Sequence, residues 1–221
     1  MIKIEFIETY GWEAAFRGLR NPKESWSKGD SVFSKNDTII GENDLKLARA
    51  LILSGSDHAK FTRQIGVSMD ITAPLYWFKE FDQYKIGTTT NSTSTMHKLA
   101  TTPITKEHFS FDDVDLFIEN KMINSFDGQA MYVKNYFEDI IDYCENLREK
   151  YLQTQDIRYW RALIQLMPSA WNQKRTVTLN YQVLRNMYLN RKNHKLSEWH
   201  DFCDMIDKLP YSSDLISIKR S

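Results

Sequence analysis

Cysteine is scarce. Cys144 and Cys203 are the only two in 221 residues and do not form a Cys-x-x-Cys pair. That excludes a disulfide framework and suits two half-buried helix thiols in a reducing compartment. The five histidines, His58, His97, His108, His194 and His200, never reach His-x-x-x-His or His-Glu-x-x-His spacing, so no metal site is expected. Long apolar runs are also missing. Nothing approaches the ~20 residues that span a bilayer, and no basic n-region precedes an apolar h-region. The expectation is a cytoplasmic protein with no membrane partner. Charge of one sign is the last absence: 29 Lys and Arg balance 29 Asp and Glu. A neutral chain does not coat nucleic acid by bulk charge, so nucleic acid is not expected as a partner.

What is present suits a folded domain. Hydrophobic residues make up 42% of the chain and aromatics 13%, enough for a substantial core. The charges sum to zero but are unevenly placed. Residues 107–149 hold eleven acids against Lys121, Lys134 and Arg148. Residues 157–197 hold eight bases, Arg158, Arg161, Lys174, Arg175, Arg185, Arg191, Lys192 and Lys195, and no acid. Two readings follow: the basic half pairs with the acidic half, or it forms an anion site, most simply for phosphate.

Alternation predicts a strand over residues 2–7 and a clearer one at Ile65, Val67, Met69 and Ile71. Apolar spacing predicts a helix over residues 12–19, ended by Asn21-Pro22, and another capped by Asn43 and stopped by Gly55. Pro74 suits the first turn of a helix over residues 75–85. The polar stretches 25–36 and 88–95 read as loops. From Phe111 onward the chain reads as helical in pieces, with a long amphipathic helix over 132–152. Further helices are predicted over 157–167, 176–191 and 197–208. No repeat or linker interrupts this order, and one α+β domain fits it.

Two stretches resemble the flavin-dependent thymidylate synthases of the ThyX type. That family has a strand feeding a helix that begins Pro-x-x-x-x-Arg-Gln and ends Arg-His-Arg, followed by a Ser/Asn loop. Here, counted without a gap from Pro74, Lys79-Glu80 stands at Arg-Gln and Gln83-Tyr84-Lys85 at Arg-His-Arg. In the loop, with one extra residue before Asn91, Asn91 and Ser94 match, Thr88 replaces the first serine, and the final arginine is absent. The second stretch runs from Pro168. Asn180 and Arg191 fall at the expected intervals, Gln182 takes the place of an arginine, and Arg185 lies one turn further on. Glu198-Trp199 resembles the family's closing segment, and a histidine, His58, follows Gly55 upstream. The resemblance covers roughly residues 43–98 and 160–202.

The resemblance implies an α+β ThyX-like domain over residues 1–221, with an antiparallel sheet, surrounding helices, a helix-rich C-terminal half and an acidic helical insert over about 107–149. It implies reductive methylation of dUMP to dTMP with FAD, with NADPH and methylene-tetrahydrofolate as co-substrates, in a homotetramer. The flavin carries the redox step, so no side-chain nucleophile is assigned. On the same resemblance Lys85, Ser94, Arg185 and Arg191 would bind the pyrimidine nucleotide, and Tyr84, Asn91 and Asn180 the cofactor. Each has a plainer reading. The arginines would face the acidic helices, Asn91 and Ser94 would cap the next turn, and Tyr84, like Trp77 and Phe78, would be core. Asn180, read as mid-helix, is unfavourable there and so favours a specific contact. Glu80 would repel a phosphate. The alternatives are a nucleotide- or flavin-binding module of the same fold without turnover, and a different modification of a nucleotide base in an altered pocket.

Overall fold

A computed structural model describes residues 2–34, 37–111, 122–124 and 130–219. Its elements run β1 (Lys3–Tyr10), α1 (Trp12–Leu19), β2 (Val32–Phe33), β3 (Thr38–Ile39), α2 (Glu42–Leu53), β4 (Gly66–Pro74), α3 (Leu75–Phe81), β5 (Thr89–Ser92) and α4 (Thr95–Lys98). There follow β6 (Met122–Asn124), β7 (Ala130–Tyr132), α5 (Val133–Thr154), α6 (Ile157–Leu166), β8 (Asn172–Asn180), α7 (Tyr181–Arg191), α8 (Ser197–Asp207) and α9 (Ser212–Leu215). Four strands form an antiparallel sheet in the order β1-β4-β8-β5, which leaves β1 and β5 as edges. Among the described residues no helix is long and apolar enough to cross a membrane.

The chain divides into two compact units. One comprises Ile2–Ile71, Glu80–Asn91 and Arg175–Ser221. Its centre is β4, where Val67, Met69 and Ile71 are buried, as is Ile65 just before the strand. α1 buries Trp12, Ala15, Phe16 and Leu19 at helical spacing. It starts at Gly11, whose φ of +83° and approach to the Gln64 carbonyl, 2.1 Å from where a Cβ would stand, leave room only for glycine. Tyr181, fully buried, packs edge-on to Trp12 and donates its hydroxyl to the Pro210 carbonyl at 2.7 Å.

The other unit comprises Thr72–Lys79 and Ser92–Lys174. Leu99, Ile104, Phe109, Phe111, Ile141, Cys144, Leu147 and Leu163 form its core, with α5 and α6 packed on it. Glu145 accepts the Ile104 amide at 2.7 Å and pairs with Arg148 of its own helix.

Several expectations are corrected here. Asn43 does not cap α2; the N-cap is Gly41, and the Asp30 carboxylate accepts the amides of Asn43 and Asp44 at 2.9 and 3.0 Å. A side chain thirteen residues upstream thus supplies the cap. The stretch 25–36 holds a 3-10 turn at Trp26–Lys28 and strand β2, which pairs with β3. α3 stops at Phe81, four residues early, in turns that bring the Gln83 and Tyr84 amides to the Glu80 and Phe81 carbonyls. Part of the loop expected over 88–95 is edge strand β5. The helix expected from residue 176 begins only at Tyr181, because Thr176 to Leu179 belong to β8. There Val177 and Leu179 are buried while Thr176 and Thr178 are exposed, and the threonines bond across to β4 through Asp70 at 2.7 Å and Ser68 at 3.0 Å. Of the acidic insert, β6 and β7 pair antiparallel where helix was expected, and much of the rest lies outside the described residues.

Candidate functional site

The loop after α3 meets the ends of β8 and α7 within the first unit. Arg191, in the last turn of α7, donates through Nη1 to Glu80 and through Nε to the Tyr84 hydroxyl at 3.1 Å. Its guanidinium lies 5.0 Å from the Trp199 ring and 5.7 Å from the Tyr84 ring, so two aromatic faces add to its hold. Trp199 is itself stacked on Phe81 and edge-on to Phe202, which fixes the platform. His194 Nε2 stands 3.1 Å from Glu80, and its Nδ1 accepts the Leu196 amide at 3.1 Å.

Beside this cluster opens a cleft of about 480 Å³, lined by Phe81, Asp82, Tyr84, Lys85, Thr88, Thr90 and Arg175. Tyr84 belongs to both. Arg175, nearly buried on β8, pairs with Asp82 at 2.7 Å. Lys85 is exposed and has no ion pair among the described residues. The Thr88 hydroxyl oxygen is buried and has no hydrogen-bond partner among the described residues. A buried hydroxyl without a partner is costly and uncommon in a finished fold, and here it lines a cavity. The cleft therefore offers one cation without an ion pair among the described residues, the Thr90 hydroxyl and an aromatic edge, with the Thr88 hydroxyl buried in its wall. Such a set suits a planar group carrying an anion.

The sequence-derived residues are placed as follows. Tyr84, Lys85 and Arg191 are brought together. Asn180 caps α7, its Oδ1 accepting the Val183 amide at 3.1 Å, so its position is the helix N-cap and not mid-helix. Its amide nitrogen stands 3.0 Å from where a Cβ on Gly87, at φ +77°, would lie. Asn91 is exposed on β5. Ser94 lies in the other unit, where its carbonyl accepts the Lys98 amide at the start of α4. Arg185 points elsewhere: it donates to the Ile216 carbonyl, and to that of Ile218 at 2.7 Å, and burial pushes its pKa down. The basic stretch finds its partners at Asp156, Asp82, Glu80 and Asp207. Thr88, Thr90, Arg175, Asp82 and His194 were not among the expected site residues. The sequence signals were the hydroxyl-rich loop and its motif for Thr88 and Thr90 and the acid-free stretch for Arg175 and His194; Asp82 had none.

No family model matches the chain, and no curated protein matches it. Solved structures do. Thymidylate synthase X (ThyX) of Helicobacter pylori, crystallised with FAD and dUMP, is 15% identical with a TM-score of 0.65, over 98% of this chain and 97% of that one. A second structure of that enzyme with the same two ligands gives 15% and 0.64, over 97% of each chain. A UMP/dUMP methylase, PolB, of Streptomyces cacaoi bound to 5-Br dUMP is 12% identical with a TM-score of 0.62, over 97% of this chain and 91% of that one. These near full-length superpositions establish that this chain has the fold of the ThyX thymidylate synthases, in a strongly divergent sequence.

Proposed function

We propose that the chain binds a pyrimidine nucleotide in the Tyr84–Lys85–Thr88 cleft and acts as a divergent flavin-dependent methylase of dUMP or a closely related nucleotide. The observation that carries this reading is one cleft lined by Lys85, which has no ion pair among the described residues, and by Thr88, whose buried hydroxyl has no partner among them. A phosphate or ring carbonyl would accept from both, and Thr90 adds a second hydroxyl. The solved relatives of the same fold are a ThyX crystallised with FAD and dUMP and a UMP/dUMP methylase, which supports this ligand class.

The residues present fit a flavin as well as a nucleotide. The Tyr84 ring and the Asn180 amide are the groups that would hold it, with Asn91 further along β5, which leaves Lys85 and Thr88 to the nucleotide. When bound, FAD supplies the hydride chemistry, and methylene-tetrahydrofolate and NADPH would be the co-substrates. The chain's own part is to bind and orient: Lys85 and Thr88 fix the anion, and Tyr84 flanks the ring. Exposed Phe6, Ile7 and Tyr10 on edge strand β1, with Val32 and Ile39 on the β2–β3 hairpin, support assembly into a homotetramer. The expected setting is the cytoplasm.

One observation favours the second reading, a nucleotide-binding module without turnover. Arg191 is engaged by Glu80 and Tyr84, so its charge is partly neutralised. Visible absorption after addition of FAD separates the two. A bound oxidised-flavin spectrum, followed by dUMP-dependent oxidation of the reduced flavin, supports the methylase. A protein that stays colourless while dUMP raises its melting temperature is the binding module. If neither response is seen, both readings fail.

A further inference from the structure

Asp82 brings a carboxylate into the wall of a cleft whose other charged groups are Lys85 and Arg175. Its Oδ1 accepts from Arg175 Nη1 at 2.7 Å, and its Oδ2 has no hydrogen-bond partner among the described residues. The arginine side chain is 12% exposed and the aspartate 46%, so a nearly buried cation anchors an acceptor that a ligand can reach. An ionised carboxylate only accepts hydrogen bonds. It gains from an N–H or O–H donor and is repelled by a phosphate or a carbonyl oxygen.

That sign orients a ligand. A nucleotide whose phosphate is held by Lys85 and Thr88 turns that phosphate away from Asp82 and leaves its uncharged end, the base, to the carboxylate. Phe81, the preceding residue, lines the cleft as well and adds an apolar surface there. The hydrogen-bonding edges of the two pyrimidines then differ. Cytosine presents an exocyclic amino group, the donor from which Asp and Glu accept when they read this base. Uracil has a carbonyl oxygen at the same ring position. Its one edge N–H stands between two carbonyls, so a carboxylate that reaches it also meets their lone pairs. Resting on the nucleotide reading above, we propose that Asp82 reads the base and that the cleft selects a cytosine nucleotide over a uracil nucleotide. Asp82 is the specificity-determining residue, and Arg175 acts through it as a positioning residue.

The test is calorimetry with dCMP, dUMP, CMP and UMP at pH 7.5, on the full chain and on Asp82→Asn. The amide keeps an oxygen for Arg175 and adds a donor for the uracil carbonyl. A hydrogen bond to a charged group at a half-exposed site is worth about tenfold in affinity. The wild-type chain should therefore bind dCMP about tenfold more tightly than dUMP, and CMP more tightly than UMP by a similar factor. In the variant each pair should close to within about threefold. Equal binding of dCMP and dUMP by the wild-type chain overturns the base selection and leaves the nucleotide reading standing. A base ratio that the folded variant does not change overturns the role of Asp82. So does a variant that alters only the ratio of UMP to dUMP, which would assign the carboxylate to the sugar. If the variant does not fold, the wild-type ratios decide alone. If no nucleotide binds the wild-type chain, the nucleotide reading falls and this proposal falls with it.

Discussion

Replacing Thr88 by valine should make the empty protein more stable and the liganded one weaker. Threonine and valine share shape and branching, so packing is nearly preserved and the change isolates one oxygen. That oxygen is buried without a partner, a state that costs about 1–3 kcal/mol. Removing it should raise unfolding stability by about 1 kcal/mol, which for a chain of this length is a shift of about 2–4 °C in Tm. Binding moves the other way. A hydroxyl donating to a charged ligand group contributes about 1.5–3 kcal/mol, so the variant should bind dUMP about ten- to a hundredfold more weakly. Urea denaturation without ligand and calorimetry with dUMP measure the two sides. A valine variant that is less stable than wild type and binds dUMP unchanged would refute the reasoning, since the hydroxyl would then serve the fold.

Two other perturbations probe the scaffold. Asp44, buried, accepts from Arg20 and the Ser31 hydroxyl at 2.6 Å each; burial alone would raise its pKa, but the bonds from Ser31, Arg20 and the Asp30 amide outweigh it and hold it below its ordinary value. Its stabilisation is complete above the unfolded value near 4 and is lost as pH falls through the lower folded pKa. Asp44→Asn should cost about 3–5 kcal/mol at pH 7 and flatten the acid limb of a stability–pH curve measured by denaturant. Arg185→Ala should free the carbonyls of Ile216 and Ile218 and speed protease cleavage near the C-terminus, read by mass spectrometry of a timed digest.

The local signals that the sequence carried well were those of single elements. Ile65 to Ile71 is buried on alternate residues, and α5, α6 and α8 lie within two residues of their expected ends, because amphipathic periodicity is set by the element itself. β8 was hidden by its successor. Thr176 to Asn180 leads without a breaker into α7, so a helical reading could run back through four residues whose strand character depends on pairing with β4. Asn180 was recognised as an unusual helical residue, and its N-cap bond to Val183 explains it. Among the candidate residues, the ungapped spacing from Pro74 pointed to Tyr84 and Lys85, and that from Pro168 to Arg191. The pairings of Glu80 with Arg191 and Asp82 with Arg175 join residues more than ninety positions apart, which no local pattern announces. Thr88 stood in the motif, but only the fold shows its hydroxyl stranded.

The most direct test of the central claim is the dissociation constant of dUMP for the wild-type chain and for Lys85→Glu. Lys85 is exposed, so the change should leave the fold intact while it turns the cleft's uncompensated cation into an anion. Measurable binding by wild type, weakened by about tenfold or more in the variant at low salt, is the predicted result. Binding that ignores the substitution, or no binding by the wild-type chain, would contradict it.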